Sequence, residues 1–330
     1  MNKLSQDIRN ISFNKKNYYK KRKYSKLLLI VMFVGIIFIC IKIQKLAPVM
    51  KQENKNINVT SEQKVHLKSE SKSDADKKGK DKQDEAQTNK KEKDSENYED
   101  VSIVYENTSG LLKGEKKYPV RTDGKKVVYL TFDDGPSTTN TPEVIKILDK
   151  YGIKATFFVT GYAIESSDQS KEILKQLEED GQSIGNHTYS HNYSYLYPGR
   201  VISATNFFSD IDRCNQSIKN VLGQDYNVKM IRFPGGYWSW EGRTPIKEEL
   251  DRRGIYEIDW NAIDGDAEGN NYNAAQLLEN TKYYTEILGP DADSIVLLMH
   301  DTYGKEETVK ALPSIIEYYK SKGFVFKAMR

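Results

Sequence analysis

From residue 126 to the end of the chain, short apolar runs rich in β-branched and aromatic residues alternate with helical segments. This alternation is typical of parallel βα units, in which each helix returns the chain so that the next strand can run in the same direction. Several of the predicted helices end at a glycine, which easily takes the left-handed conformation of a helix C-terminus. The predicted strands span residues 127–131, 155–160, 183–186, 228–233, 255–260, 294–299 and 324–326.

These seven runs predict an α/β fold, a distorted (β/α) barrel with about seven strands rather than the usual eight. An open doubly wound sheet is the alternative, because hydrophobic periodicity does not distinguish the two arrangements. In both arrangements the functional side chains gather at the carboxyl ends of the strands. The residues that follow each predicted strand are therefore the first place to search for chemistry.

The N-terminal part of the chain has a different composition. Residues 1–26 are strongly basic, and residues 27–43 are almost entirely apolar. This pattern predicts a single transmembrane anchor, with a cytoplasmic N-terminus and an extracellular C-terminal domain, because basic flanks stay on the cytoplasmic side. A cleaved signal peptide is the alternative, although no small-residue cleavage site follows the apolar run.

The segments between the anchor and the C-terminal domain are polar. Residues 44–100 predict a disordered charged linker, because they carry too little apolar surface to offset the entropy lost on ordering. Residues 101–125 form a lead-in segment to a domain that spans residues 126–330. Of the two cysteines, Cys40 and Cys214, the first lies in the predicted anchor, so no disulfide is expected. The net charge of +3 gives no reason to expect a nucleic-acid partner.

Three of the four histidines lie near the ends of predicted strands. His187 and His191 are four residues apart, a spacing that places two imidazoles on one side of a helical turn. Asp133 and Asp134 follow the first strand directly and can serve different tasks, because adjacent side chains point in different directions. Two histidines and one carboxylate form a facial ligand set that leaves positions open for water and substrate. We therefore predict a metal site, with His300 beside it as an acid–base group.

The end of the fourth predicted strand carries further candidates. Arg232 could pair with Asp133 and fix its orientation. Gly235 and Gly236 allow the backbone to approach a substrate closely and to offer N–H groups to developing negative charge. The aromatic residues that follow could stack on sugar rings or pack in the core, and both interpretations remain open. They are Tyr237, Trp238 and Trp240.

Five short motifs occur along the C-terminal domain. They are Thr131-Phe132-Asp133-Asp134-Gly135, His187-Thr188-Tyr189-Ser190-His191, Arg232-Phe233-Pro234-Gly235-Gly236, Asp259-Trp260 and Leu298-Met299-His300. In this order the motifs resemble the polysaccharide deacetylase family, which shares the NodB-type domain (carbohydrate esterase family 4) and includes peptidoglycan N-acetylglucosamine deacetylases. The resemblance covers the chain from about Lys126 to its C-terminus. It implies a distorted β/α barrel, which agrees with the strand count.

The resemblance also implies a division of tasks among the residues. Asp134, His187 and His191 would bind one divalent metal ion, zinc or, as in some members, cobalt or nickel, which polarises the amide carbonyl. Asp133 would act as the general base and His300 as the general acid. Arg232 would orient Asp133, while Trp260 and Leu298 would line a pocket for the acetyl methyl group. The residues expected to contact the substrate are Pro234, Gly235, Gly236, Tyr237, Trp260 and Leu298.

Two positions depart from the family pattern. Many members have an aspartate three residues before the one that precedes the tryptophan of the fourth motif, where it tunes the catalytic histidine. Tyr256 stands at that position here, so either another aspartate takes the task or His300 is tuned less. The candidates are Asp259, Asp264 and Asp266. Many members also have tyrosine after the proline of the third motif; Gly235 keeps the backbone contact there but provides no side-chain wall.

We therefore expect a metal-dependent N-deacetylase that removes acetyl groups from N-acetylglucosamine residues of cell-wall peptidoglycan and releases acetate. The expected partners are the cell-wall glycan and, through the N-terminal helix, the membrane. One alternative is a deacetylase of poly-N-acetylglucosamine, chitin oligosaccharide or acetylxylan; another is a non-catalytic homologue that binds the wall. A non-haem iron oxygenase also uses two histidines and one carboxylate, but the βα alternation argues against the all-β barrel that such enzymes usually adopt.

Overall fold

The computed structural model describes residues 96–330, apart from residue 270. The predicted basic tail (1–26), the predicted anchor (27–43) and nearly all of the predicted linker lie outside the described residues. Among the residues that are described, no helix combines the length and the apolar character needed to cross a membrane.

The strands are short and, with one exception at each end of the domain, belong to one sheet. In chain order they are β1 (Tyr98–Glu99), β2 (Lys126–Asp133), β3 (Thr156–Val159), β4 (Ser183–Asn186), β5 (Met230–Ile231), β6 (Tyr256–Glu257), β7 (Ala262–Ile263), β8 (Ser294–His300), β9 (Phe324–Phe326) and β10 (Ala328–Met329).

Helices connect these strands. They are α1 (Val101–Leu112), α2 (Asn140–Tyr151), α3 (Gly161–Glu165), α4 (Asp168–Glu179), α5 (Tyr193–Leu196), α6 (Ala204–Leu222), α7 (Arg243–Arg253), α8 (Ala274–Glu286) and α9 (Glu306–Ser321), with short 3-10 turns at Pro198–Arg200 and Tyr237–Ser239.

The main sheet is a curled half-barrel of parallel strands. Seven strands form a continuous path in the spatial order β6-β5-β4-β3-β2-β8-β7, and β9 pairs with β2 off this path. Side chains from β2, β3, β5, β8 and the residues just after β6 pack into one common cluster, so the sheet curves round an interior. This curvature agrees with the predicted distorted (β/α) barrel and not with an open doubly wound sheet.

The membership of the path differs from the prediction in one respect. Ala262–Ile263 joins the path through its parallel pairing with β8, although two residues are too few to give a sequence pattern. Phe324–Phe326 was predicted to be one of the seven barrel strands, but it pairs only with the first half of β2. β3 takes the same side of β2 over its last three residues, so two strands share that edge.

β2 shows why the sheet has two different faces. Val128, Leu130 and Phe132 are fully buried in the layer between the sheet and the helices. Val127 and Tyr129 alternate with them and lie in the interior cluster, because successive side chains of a strand point to opposite faces. The same alternation directs the last residue of the strand, Asp133, inward at its carboxyl end.

The segment before residue 126 belongs to the folded domain, which corrects the predicted boundaries. α1 places Val101 and Val104, both almost fully buried, in the interior cluster with Val127 and Val296. β1, at the end of the predicted linker, pairs in parallel with β10. The N-terminal half of β2 and the first residues of β8 contribute to this cluster, so α1 closes the end of the half-barrel opposite the carboxyl ends of the strands.

Candidate active site

Three predicted metal ligands converge at the carboxyl ends of β2 and β4. Asp134, His187 and His191 each offer one ligand atom, and these atoms all lie within 4.8 Å of one another. The Oδ1 atom of Asp134 is 3.5 Å from Nε2 of His187 and 3.3 Å from Nε2 of His191. Two imidazole nitrogens and one carboxylate oxygen form a donor set suited to a divalent transition metal.

The two histidines converge through a loop and not through the helical turn that their spacing predicted. Residues 187–191 contain no helix, and Thr188 and His191 take positive φ angles of 67° and 49°. Asp134 also has a positive φ, at 70°. Such conformations are uncommon for residues other than glycine and cluster at functional sites. Here they turn three ligand side chains toward one point.

The protonation of the ligands also fits a metal ion. His187 Nδ1 lies 2.8 Å from the carbonyl oxygen of Arg232, so this nitrogen carries the proton and Nε2 presents its lone pair. Burial lowers the pKa of His187 to about 3, which keeps the imidazole neutral. Asp134 Oδ1 is buried and has no hydrogen-bond partner among the described residues. A cation bound between this carboxylate oxygen and the two imidazole nitrogens would satisfy the buried oxygen.

The loop that carries Asp134 is fastened to the end of β8. Thr141 Oγ1 donates to Oδ2 of Asp301 at 2.5 Å, and Ser137 Oγ donates to the Asp301 carbonyl at 2.6 Å. Both Asp301 carboxylate oxygens lie against Gly135, where any Cβ would collide with them. Burial raises the pKa of Asp301 to about 7. The base of one loop and the residue after His300 are thus locked together.

Asp133 is held by Arg232, as the sequence predicted. Arg232 Nη1 donates to Oδ1 of Asp133 at 2.8 Å and to Oγ1 of Thr131 at 2.7 Å, and its Nε donates to the carbonyl of Ile258. The Oδ2 atom of Asp133 lies 3.6 Å from Nε2 of His187. Burial raises the pKa of Asp133, and the charges of Arg232 and His300 oppose that rise. One carboxylate oxygen is therefore tied to the arginine while the other faces the metal ligands.

His300 is paired with Asp266 rather than with Asp259. His300 Nδ1 lies 2.7 Å from Oδ1 of Asp266, and the His300 backbone N–H donates to Oδ2. Burial lowers the pKa of His300, but the hydrogen bond and charge of Asp266 outweigh burial and raise it to about 9. Asp259 instead accepts the backbone N–H of Tyr237 at 3.0 Å. Of the three candidate aspartates, Asp266 therefore contacts His300, whereas the Asp259 carboxylate supports the loop after β5.

The pairing register brings the two acid–base candidates side by side. Asp133 and His300 are the last residues of β2 and β8 and are partners in the parallel ladder. Strand alternation places Leu298 on the same face as His300. The candidate metal ligands, the carboxylate with its arginine and the histidine with its aspartate therefore share one end of the half-barrel.

Comparison with known proteins agrees with this geometry. A family model described as polysaccharide deacetylase matches residues 120–248. A bifunctional xylanase/deacetylase from Pseudobutyrivibrio xylanivorans is 32% identical over 208 residues, which are 62% of this chain but 30% of that protein. A peptidoglycan-N-acetylglucosamine deacetylase from Bacillus cereus is 30% identical over 220 residues, which cover 64% of this chain and 73% of that protein. The chain belongs to the polysaccharide deacetylase family. The peptidoglycan deacetylases of this family are hydrolases that act on carbon–nitrogen bonds other than peptide bonds.

The fold of this polysaccharide deacetylase domain has solved counterparts. A Streptococcus mutans CE4 esterase has 32% sequence identity and a TM-score of 0.63, covering 72% of this chain and 94% of that one. The likeness therefore spans the half-barrel as a whole and is not confined to the motifs.

Most of the predicted substrate-contacting residues lie beside the site. Pro234, Gly235 and Gly236 form a tight loop beside the site, and a Cβ on Gly236 would lie 3.0 Å from the Trp260 ring. Trp260 is also 5.5 Å from the Arg232 guanidinium. Leu298 is nearly buried and, two residues before His300, faces the interior. The positions of Trp260 and Leu298 are thus consistent with a wall of the substrate pocket close to Asp133 and His300.

Tyr237 does not fit the substrate-binding task predicted for it. Its side chain is 7% exposed and packs in a hydrophobic cluster that also contains Phe233 and Trp240. Its ring meets that of Phe233 edge-on at 5.2 Å. Of the three neighbouring aromatics only Trp238 is exposed. Tyr237 and Trp240 are therefore core residues that fix the shape of the loop.

Tyr193 is a site residue that the sequence interpretation missed. It begins α5, two residues after His191, and the two rings are 5.3 Å apart. Burial raises the pKa of the Tyr193 hydroxyl, and the nearby charges of Asp134 and Asp133 raise it further. The only signal in the sequence is its position directly after the second motif.

Proposed function

We propose that this chain is a metal-dependent deacetylase that removes acetyl groups from N-acetylglucosamine residues of cell-wall peptidoglycan and releases acetate. The observation that carries the proposal is the juxtaposition of a three-residue ligand set with two differently tuned acid–base groups. The ligand set is Asp134, His187 and His191. The acid–base groups, Asp133 and His300, are partners in adjacent strands.

The metal ion would be held by Asp134, His187 and His191. Bound there, a divalent ion such as zinc, or alternatively cobalt or nickel, supplies Lewis-acid polarisation of the acetamido carbonyl. The buried and unpartnered Oδ1 of Asp134 supports this assignment.

The acid–base groups then divide the proton transfers between them. Asp133, held through Oδ1 by Arg232, uses Oδ2 to take a proton from the attacking water. His300, kept protonated by Asp266, gives a proton to the nitrogen as the carbon–nitrogen bond breaks. The hydroxyl of the water bonds to the acetyl carbon, the carbon–nitrogen bond breaks, and the nitrogen leaves as an amine with the proton from His300. The products are acetate and a glucosamine residue.

The choice of peptidoglycan rests on the Bacillus cereus relative, which is a peptidoglycan-N-acetylglucosamine deacetylase. The xylanase/deacetylase relative makes acetylated xylan a substrate to compare. The extracellular location remains a proposal that rests on the basic residues 1–26 followed by the apolar residues 27–43.

Acetate release provides the test. The full chain is incubated with N-acetylated peptidoglycan, poly-N-acetylglucosamine, chitin oligosaccharides and acetylxylan, with and without a chelator. We expect chelator-sensitive acetate release, fastest from peptidoglycan, and recovery on adding zinc. Release that is fastest from another polymer would reassign the substrate. Absence of metal-dependent release from all four polymers would reject the enzyme function and leave a wall-binding homologue.

A further inference from the structure

Gly235 lies where the side-chain wall of the site is missing. Its φ angle of 76° is in the left-handed region, and a Cβ there would be 3.1 Å from the Tyr193 hydroxyl oxygen and 3.1 Å from the Trp240 ring. A side chain at position 235 would thus be strained by the backbone and crowded by two aromatic residues. The space beside this glycine is taken by Tyr193, which comes from a different loop.

Tyr193 contacts the loop after β5 through its ring. Its ring meets the ring of Trp240 nearly edge-on, at 5.3 Å and 69°. Trp240 stacks on Tyr197 at 4.0 Å and donates its indole N–H to the Pro234 carbonyl. The loop after β5 and helix α5 therefore contact each other through these rings, and the Tyr193 ring lies against Trp240.

The Tyr193 hydroxyl is available to a ligand. The residue is 45% exposed, and its Oη has no hydrogen-bond partner among the described residues. Within the same described part of the chain, the Gly235 N–H also makes no hydrogen bond. The Tyr193 hydroxyl thus lies beside Gly235, and the Tyr193 ring lies beside that of His191. A phenol hydroxyl and a backbone N–H are typical donors to a developing oxyanion.

We propose that Tyr193 is a catalytic residue that takes the place of the wall missing at Gly235. Its ring bounds the substrate site next to His191, and its hydroxyl donates a hydrogen bond to the acetamido carbonyl oxygen as negative charge develops there. This inference rests on the proposed deacetylase function, since it requires a substrate carbonyl at the metal ligands.

The test compares Tyr193→Phe with Tyr195→Phe in the full chain. Tyr195 lies two residues further along α5 and is similarly exposed, at 42%, so it controls for the loss of a hydroxyl from this helix. Steady-state acetate release, bound zinc and the thermal midpoint are measured for each variant. For Tyr193→Phe we expect kcat to fall about 100-fold with KM nearly unchanged, because the bond forms mainly in the transition state. Zinc content and thermal midpoint should match the parent, and Tyr195→Phe should be as active as the parent.

Other outcomes would overturn the inference in different ways. An unchanged kcat in Tyr193→Phe, with an active parent, would reject the inference while the proposed function stands. A rise in KM alone would indicate that the hydroxyl contacts the sugar equally in the ground state and the transition state. Loss of zinc would indicate that Tyr193 positions His191 and does not contact the substrate. An equal loss in Tyr195→Phe would attribute the effect to α5 in general. A parent chain that releases no acetate from any polymer would instead reject the proposed function, and the Tyr193 assignment with it.

Discussion

Asp133 and Asp134 are adjacent in the chain, yet the backbone gives them different surroundings. Asp133 is the last residue of β2 and is almost completely buried against Arg232. Asp134 has a left-handed conformation, and its Oδ1 faces the two histidines. One change of backbone conformation between neighbouring residues therefore separates the proposed base from the proposed metal ligand.

Substitution of these two aspartates should separate metal binding from activity. Asp134→Ala removes a ligand atom, so we expect loss of bound zinc and of acetate release together. Asp133→Asn keeps the size and the hydrogen bond from Arg232 but cannot accept the water proton, so we expect zinc to stay and kcat to fall by at least about 100-fold. Zinc content and acetate release from the same preparations provide the measurement. If Asp133→Asn loses zinc while Asp134→Ala keeps it, the tasks of the two carboxylates are reversed.

His300 depends on Asp266 for its protonation state. The Asp266 carboxylate favours the imidazolium form and raises the pKa of His300 to about 9, so the acid form is present below that pH and is lost as pH rises through it. In Asp266→Asn the charge is gone and the pKa of His300 falls. We therefore expect the alkaline limb of kcat/KM against pH to move down by about one to two pH units.

Asp259→Asn is the matched control for this shift. Asp259 is partly buried at the same end of the half-barrel but accepts the Tyr237 N–H, and an asparagine oxygen can accept that bond as well. The alkaline limb of kcat/KM against pH for Asp259→Asn should coincide with that of the parent. A downward shift in Asp259→Asn with none in Asp266→Asn would show that the two aspartates act in the opposite way.

At the scale of elements, the strand ends were predictable because their signals are local. Val127-Val128-Tyr129-Leu130 identifies β2 by composition alone, and parallel strands bring Asp133 and His300 to one edge. The His300–Asp266 bond was only one of several alternatives, because it joins residues 34 positions apart. The placement of Tyr193 beside Gly235 depends on the packing of Trp240, which no spacing in the sequence specifies.

Helix α1 is the element whose importance the sequence understated. From the sequence, residues 101–125 were expected only to form a lead-in segment. A single short amphipathic stretch does not reveal what it packs against. In the structure Val104 is fully buried among strand residues, while Ile103 on the same helix is 46% exposed. The helix therefore supplies part of the half-barrel interior.

Truncation of α1 side chains should show that the buried face of the helix contributes more to stability than the exposed face. Val104→Ala leaves a cavity in the interior, so we expect the free energy of unfolding to fall by about 2 kcal/mol. Ile103→Ala removes a larger but half-exposed side chain and should change it by less than about 1 kcal/mol. Urea unfolding of the two variants and the parent chain provides the comparison. Equal effects, or a larger effect of Ile103→Ala, would show that α1 is a surface helix.

At the scale of the whole molecule, the site is assembled from chain segments that are far apart in sequence. Asp134 follows β2, His187 and His191 follow β4, Arg232 follows β5 and His300 ends β8. These residues meet only when the sheet has curled, so the ligand set does not exist in the unfolded chain. Binding of a metal ion by Asp134, His187 and His191 would therefore be coupled to folding.

This coupling predicts that zinc stabilises the folded chain against unfolding. A ligand that binds only the native state adds RT ln(1 + [L]/Kd), about 2.7 kcal/mol when free zinc is 100 times Kd. The thermal midpoint should therefore rise with zinc concentration and fall on adding a chelator. His191→Ala removes one ligand from a partly exposed position and should weaken the dependence strongly, whereas Tyr195→Phe should preserve it. A midpoint that rises equally with zinc in the parent and in His191→Ala would place the stabilising ion away from Asp134, His187 and His191.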